Sequence, residues 1–253
     1  MLDERYRTVL EARTRRPEAI AEAAAGRVRP TSLFNEHGRL MLIAADHPAR
    51  GALRAGERAL AMADRVDLLD RLCLALSRPG VNGVLGTPDV LEDLLLLGAL
   101  DGKVVVGSMN RGGLAGTVFE IDDRFTAYRL MAMVEPFISH RVDGRVRIDL
   151  GVEATIRAMT VAAGIGNTSA YTWLKVPVVE EMERVMGATT LPALLLGGEV
   201  STDQDAAFES WRKALKLPTV QGLVIGRSLL YPLGDDVASA VDTAVGLLQG
   251  GTG

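Results

Sequence analysis

A lysine stands inside an apolar stretch of the sequence, "YTWLKVPVV" at residues 171–179. The β-branched and aromatic residues around Lys175 predict a buried strand that ends at Pro177. A charged amine in such a strand must be paired, be neutral or take part in chemistry, because burial of an isolated charge is unfavourable. A neutral amine can attack a ketone and form an imine. The alternative is a lysine at a strand end that extends its ammonium group into solvent.

The choice of lysine at this position is informative because 24 Arg and only four Lys carry the basic charge. Lys103 precedes a predicted strand, whereas Lys213 and Lys216 lie in a pattern typical of an exposed helix. Arginine cannot form an imine with a carbonyl group, and lysine can. Lys175 is therefore the candidate nucleophile of the chain.

Glu135, in "MVEPF", is the carboxyl group expected nearest to Lys175, one predicted strand earlier. If Tyr171, Trp173 and Lys175 share one strand face, that face points into the fold and Lys175 is the outermost of the three. An imine stabilises the carbanion left when a neighbouring C–C bond breaks, and this retro-aldol step needs a proton shuttle. Glu135 is the candidate shuttle. The alternative is an ion pair between adjacent strands.

Asp46 follows the first apolar strand, in "AADHP". It could orient a substrate hydroxyl or help proton transfer, but an aspartate before a loop equally often caps a turn. His47 and His140 are too scattered to form a metal site, and Cys73 is the single cysteine. We therefore expect neither a bound metal nor a disulfide.

Two glycine-containing turns follow the last two predicted strands, Gly197–Gly198 in "LLLGGEVST" and Gly226–Arg227 in "LVIGRS". Glycine lets backbone N–H groups approach an anion closely, and an arginine adds a charge-assisted contact. Each pair alone is more often an ordinary turn. Together they predict a phosphate site.

Strands alternate with helices along the chain, which predicts an α/β protein with a parallel sheet. The predicted strands are 40–46, 81–87, 103–109, 129–137, 168–176, 191–198 and 220–227. The predicted helices are 57–77, 88–99, 151–163, 178–187, 203–216 and 235–249. We expect a single domain over residues 1–253, with residues 1–38 as an N-terminal helical extension packed on it.

The distribution of polar residues favours a closed (β/α)₈ barrel over an open sheet. Polar or glycine residues follow several different strands, as they do around the mouth of a barrel. No strand leads into a G-x-G-x-x-G turn, and "GIGNTS" at 164–169 precedes a strand instead. The residues at this predicted mouth are Asp46, His47, Asn110, Arg111, Glu135, Lys175, Gly197, Gly198, Gly226 and Arg227.

The composition argues against two classes of partner. A net charge of −4 gives no general reason to expect binding to nucleic acid, and no apolar run reaches the length of about 18 residues typical of a membrane span. The first residues lack the apolar core of a signal peptide, so we expect a cytoplasmic protein.

The motifs "AADHP", "MVEPF", "YTWLKV", "LLLGGE" and "VIGRSLLYP" occur in the order found in class I, Schiff-base aldolases. From about residue 40 to 233 the chain resembles the branch with tagatose-bisphosphate, sulfofructose-phosphate and archaeal fructose-bisphosphate aldolases. The resemblance implies a TIM barrel without metal or other cofactor, and we expect a homo-oligomer. It is strongest to an actinobacterial aldolase-like family associated with inositol catabolism, which implies 2-deoxy-5-keto-gluconate 6-phosphate as substrate.

The same resemblance assigns roles to individual residues. It implies that Lys175 forms the imine, that Glu135 is the acid/base and that Asp46 lies near the substrate hydroxyls. The implied phosphate cradle is formed by Gly197, Gly198, Gly226 and Arg227. Further possible substrate contacts are His47, Asn110, Arg111 and Trp173.

One departure from the family pattern concerns the barrel wall. Residues 110–128 leave room for one short element, such as "TVFEI" at 117–121, where the family has a strand and its helices. We therefore expect an incomplete wall between the strand that ends at Met109 and the strand that begins at Arg129. A deoxyribose-phosphate-type aldolase remains an alternative, as does a non-catalytic barrel that binds sugar phosphates.

Overall fold

The computed structural model describes residues 4–108, 131–164 and 169–249. The strands are β1 Leu40–Ala45, β2 Gly83–Gly86, β3 Val104–Gly107, β4 Ala132–Val134, β5 Ile138–Val142, β6 Arg145–Asp149, β7 Thr172–Pro177, β8 Ala193–Leu196 and β9 Val220–Ile225. The helices are α1 Glu4–Arg15, α2 Glu18–Gly26, α3 Arg65–Ser77, α4 Pro88–Leu96, α5 Val152–Ala163, α6 Met182–Met186, α7 Gln204–Ala214, α8 Arg227–Leu230 and α9 Val237–Gln249. Short 3₁₀ helices span His47–Arg50 and Ala61–Ala63.

Seven strands form one curled parallel sheet in the order β3-β2-β1-β9-β8-β7-β4. The helices lie between successive strands, which confirms the predicted α/β barrel-type fold. Within the described residues the sheet is open between β3 and β4, where the sequence predicts the missing wall. The "TVFEI" segment and the junction of Tyr128 and Arg129 lie outside the described residues.

Side-chain alternation divides the buried residues of the sheet into two sets. One set faces the surrounding helices and joins the large core with residues such as Leu72, Leu229 and Val241. The other set faces the inside of the barrel and forms a smaller cluster around Leu42, Leu194 and Val224. Because side chains alternate along a strand, the same pattern determines which residues at the ends of the strands point into the barrel.

The N-terminal helices α1 and α2 pack against α4. Arg13 of α1 donates to the buried Asp93 of α4 at 2.7 Å and to Glu92 at 3.1 Å. Paired in this way, the Asp93 carboxylate does not bear the cost of an isolated buried charge. None of the helices in the described ranges has the length and apolarity needed to cross a membrane.

The structure corrects several predicted boundaries. The N-terminal helical region ends at Gly26, and residues 27–39 run without helix to β1. The predicted helix 57–77 begins at Arg65, where the Asp64 side chain caps it by accepting from the backbone N–H of Asp67. The antiparallel hairpin of β5 and β6 was not predicted at all.

Candidate active site

Lys175 and Glu135 meet at the carboxyl-end mouth of the barrel. Lys175 Nζ donates to Glu135 Oε2 at 3.0 Å. The register explains this contact: Leu174 of β7 lies beside Val134 of β4, so the next residues on the two parallel strands are neighbours. Lys175 is 4% exposed and is the one lysine of the four that is buried. Its amine therefore has a carboxylate, rather than solvent, as its partner.

Asp46 lies at the end of β1 on the same inward face. It is buried, and its Oδ2 lies 3.5 Å from Nη2 of Arg50. Burial raises the pKa of the Asp46 carboxyl, but the nearby charges of Lys175 and Arg50 outweigh burial and lower it below its usual value. Asp46 is therefore an anion in the folded protein at neutral pH, close to the Lys175 amine.

His47 follows Asp46 in the chain. It is buried between Asp46 and the residue that follows β9, Gly226. Its Nδ1 lies 3.7 Å from Oδ1 of Asp46, and no hydrogen-bond partner for this nitrogen occurs within the described ranges. Burial, together with the charges of Arg227, Arg50 and Lys175, lowers the pKa of His47 to about 3. The imidazole is therefore neutral at physiological pH.

The depressed pKa of His47 predicts a specific acid sensitivity. Since the folded protein resists protonation of His47 below its unfolded pKa near 6.5, stability should fall as pH drops from 6.5 towards 3. Between pH 6.5 and 4.5 we expect a loss on the order of 2–3 kcal/mol from this residue. Urea unfolding at both pH values should show that His47→Asn removes most of this loss. His37→Asn, at a more exposed histidine, should leave this loss of stability in place. An equal loss of unfolding free energy between pH 6.5 and 4.5 in both variants would contradict the assignment to His47.

The two predicted phosphate loops lie side by side after β8 and β9. Arg227 connects them: its Nη2 donates to the carbonyl of Gly198 at 3.5 Å, and its Nη1 lies 3.5 Å from Oε1 of Glu199. The same Nη1 donates to the carbonyl of Arg54 at 3.3 Å, so the loop after β1 also contributes. These contacts are long for hydrogen bonds to a guanidinium.

Close packing requires glycine at two positions of these loops. A Cβ on Gly226 would lie 2.6 Å from Cε1 of His47, and it would also meet the carbonyl of Ala44. A Cβ on Gly197 would lie 2.5 Å from Cγ2 of Ile225. The glycine at 226 therefore lets the imidazole of His47 pack directly on the backbone of the predicted phosphate loop.

Trp173 lies two residues before Lys175 and faces the same interior. Its ring packs on Phe34 with 5.9 Å between centroids, so the segment before β1 fills the lower end of the barrel. Trp173 is thus part of the floor beneath the lysine. Tyr171, expected on the same face, lies before β7 and is exposed.

The structure brings together most of the predicted site but not all of it. Asn110 and Arg111 lie outside the described residues. Three residues near the site were missed: Arg50 beside Asp46, Glu199 beside Arg227, and Ser228, whose Oγ donates to the carbonyl of Glu199 at 3.3 Å. Glu199 and Ser228 each lie within a quoted glycine motif, which was the available signal. In the described part of the chain no cluster of three His, Cys, Asp or Glu residues could hold a metal ion.

The family model described as Cgl0159-like matches residues 38–130 and 128–245. The chain belongs to the Cgl0159-like family. The two matched segments of that family meet at residues 128–130, where the sequence predicts a missing unit. The crystal structure of the family member Cgl0159 from Corynebacterium glutamicum is 45% identical in sequence, with a TM-score of 0.90 over 98% of each chain.

More distant structures share the fold of this Cgl0159-like chain. An archaeal fructose 1,6-bisphosphate aldolase is 15% identical and matches with a TM-score of 0.59 over 87% of this chain and 97% of its own. A second archaeal structure, in which the catalytic Lys is covalently bound to the carbinolamine intermediate of the substrate, is 15% identical with a TM-score of 0.58, over 86% and 97%. At this identity the likeness shows an aldolase-type fold. None of the curated protein sequences matches the chain.

Proposed function

We propose that the protein is a class I aldolase that cleaves a phosphorylated ketose or keto sugar acid through an imine on Lys175. The observation that carries this proposal is the contact of 3.0 Å between the buried Lys175 amine and Glu135 at the barrel mouth. If this ion pair were only structural, arginine would be expected in place of Lys175. Arginine is the common basic residue of this chain and forms the more stable pair with a carboxylate. Similarity to archaeal Schiff-base aldolases in fold supports the same chemistry.

In the proposed reaction Glu135 first accepts a proton from Lys175 and frees its amine. The amine adds to the substrate ketone, and loss of water, with Glu135 as proton donor, gives the protonated imine. Glu135, again a carboxylate, removes the proton of the hydroxyl group on the β carbon, two carbons from the imine carbon. The bond between the α and β carbons then breaks, its electron pair moves into the enamine, and an aldehyde leaves. Protonation of the enamine and hydrolysis release the second product and restore Lys175.

Asp46 is proposed to hold the substrate hydroxyl groups. Its carboxylate is ionised and buried beside Lys175, so a hydroxyl at this place would donate a charge-assisted hydrogen bond. The neutral His47 next to it can accept or donate one bond without adding positive charge. This arrangement suits a polyhydroxylated substrate.

The phosphate of the substrate is proposed to lie between residues 197–199 and 226–228. Arg227 already spans these loops with long contacts to two carbonyls and one carboxylate. An anion placed there would offer the guanidinium shorter, charge-assisted bonds, while the two glycines leave room for backbone N–H contacts.

The proposal is tested by trapping the imine with borohydride in the presence of candidate substrates, followed by intact-mass measurement. The panel contains phosphorylated ketoses, 2-deoxy-5-keto-gluconate 6-phosphate and deoxyribose 5-phosphate. An irreversible adduct mapped to Lys175 supports the aldolase and identifies the substrate class. Binding of a sugar phosphate without any adduct would instead support the non-catalytic barrel.

Substitution Arg227→Met should weaken use of the phosphorylated substrate. Loss of charge-assisted bonds to the phosphate should raise KM by about 10–100-fold, with a smaller effect on kcat. Steady-state kinetics with the substrate identified by trapping measures both constants. The control is Arg212→Met on α7, whose exposed side chain pairs with Glu209. An unchanged KM in Arg227→Met would place the phosphate elsewhere.

A further inference from the structure

The β5–β6 hairpin is exposed on both of its faces. It begins three residues after Glu135, so it rises from the mouth of the barrel. β5 lies beside α5, whereas β6 pairs only with β5 among the described residues. Val146 is 65% exposed and Ile148 50%. Because a two-stranded ribbon is marginally stable in water, an apolar pair on its outer strand points to a further partner.

The turn determines which backbone groups of β6 are available to that partner. Asp143 and Gly144 have φ angles of 50° and 73°, as in a two-residue type I′ turn. In such a hairpin the flanking residues Val142 and Arg145 form a hydrogen-bonded pair, and the pairs alternate beyond it. The N–H and C=O groups of Val146 and Ile148 are therefore directed away from β5.

The sequence of β6, "RVRID", is complementary to itself when two copies run antiparallel. Centred on Arg147, this pairing places Arg145 opposite Asp149 of the second copy, twice by symmetry. It also places Val146 opposite Ile148, and these are the residues whose backbone groups point outward. Opposite charges and apolar pairs directly across two strands are favourable. One like-charged contact, between the two Arg147 side chains, opposes two attractive pairs.

We propose that β6 is the docking surface for a second copy of this chain, which joins two hairpins into a four-stranded antiparallel sheet across a two-fold axis. Four backbone hydrogen bonds would form between Val146 and Ile148 of the two copies. The other outer edge, that of β5, lies beside α5 and would place Ser139 opposite Arg141 and His140 opposite itself, without opposite charges. An isologous contact of this kind closes as a dimer and does not propagate.

The main test is the substitution Val146→Pro. Proline removes an N–H group that the hairpin itself does not use, and an edge strand tolerates it there. The matched control is Arg141→Pro, which removes an equivalent outward N–H group from β5. Sedimentation velocity should give twice the 27.0 kDa of one chain for the parent protein and for the control. Val146→Pro should raise the dimer dissociation constant about 30-fold or more, because symmetry removes two hydrogen bonds at once.

A second test does not depend on the fold of the proline variant. In a Cys73→Ser background, Arg147→Cys places two thiols opposite each other at the axis, within the Cα range of a disulfide. Mild oxidation should give a covalent dimer for Arg147→Cys and none for Arg141→Cys. A monomeric parent protein, an unchanged dissociation constant in Val146→Pro, or equal cross-linking at both cysteine positions would each overturn the proposal.

Discussion

Replacement of Lys175 by arginine should abolish both borohydride trapping and substrate cleavage. Arginine keeps the positive charge and can still pair with Glu135, but it has no amine that is nucleophilic at neutral pH. For an enzyme that depends on a covalent nucleophile, we expect kcat/KM to fall by roughly 10⁵-fold or more. Intact-mass spectra after reduction and a coupled aldehyde assay measure the two losses separately.

The matched control for this substitution is Lys103→Arg. Lys103 is the one partly buried lysine, and its Nζ donates to the carbonyl of Val81 at 2.8 Å, at the end of the barrel opposite to the mouth. This variant should form the adduct at the parent rate. If Lys175→Arg still forms a reduced adduct, another amine is the nucleophile and the proposed mechanism is wrong.

Replacement of Glu135 by glutamine should slow turnover by roughly 10²–10⁴-fold, the usual cost of a lost general acid/base. Glutamine keeps the shape and an oxygen near Lys175, but it cannot accept or return a proton. Trapping of the imine should survive at least in part, because the amine remains in place and water can carry the protons exchanged during imine formation, although more slowly than Glu135. Single-turnover measurements of adduct formation and of aldehyde release should therefore separate in this variant.

Glu153→Gln provides the comparison, since Glu153 is an exposed carboxylate that pairs with Arg184 on the outside of the barrel. Its turnover should match that of the parent protein. Unchanged steady-state rates in Glu135→Gln would show that this carboxylate only neutralises Lys175.

The contact between Lys175 and Glu135 could be predicted from the sequence because it depends on local rules. Both residues lie at the ends of apolar runs, and parallel neighbours in register bring equivalent ends to one mouth. The adjacency of the two predicted phosphate loops followed from the same rule, since glycines stand after the last two strands and these strands pair in the sheet. Knowledge of side-chain packing was not needed to predict this adjacency.

The environment of His47 could not be predicted in the same way. Its burial depends on close packing against Gly226, a residue far away in the sequence. Of the charges that lower its pKa, those of Arg227 and Lys175 also come from distant segments, and only Arg50 lies in the same short helix. Sequence periodicity places a side chain on a face of its own strand, but it does not say which distant backbone lies against that face.

The hairpin was missed for a different reason. Its turn, Asp143–Gly144, is a strong hairpin signal, yet β5 carries Ser139, His140 and Arg141 in succession, which breaks the apolar alternation expected of a strand. Most residues of both strands are exposed among the described residues, so neither strand shows the apolar face of a core strand. In β6, the charged residues Arg145 and Asp149 belong to the edge that we propose for pairing with a second copy.

The strands that come first and last along the chain, β1 and β9, are hydrogen-bonded neighbours in the sheet: Leu40 of β1 lies beside Gly222 of β9. During synthesis, β1 emerges from the ribosome long before its partner, and at that stage it can pair only with β2. The unpaired edge of β1 is fully apolar, and such edges favour aggregation of nascent chains. The sheet should therefore close along this edge of β1 only near the end of translation, when β9 is released.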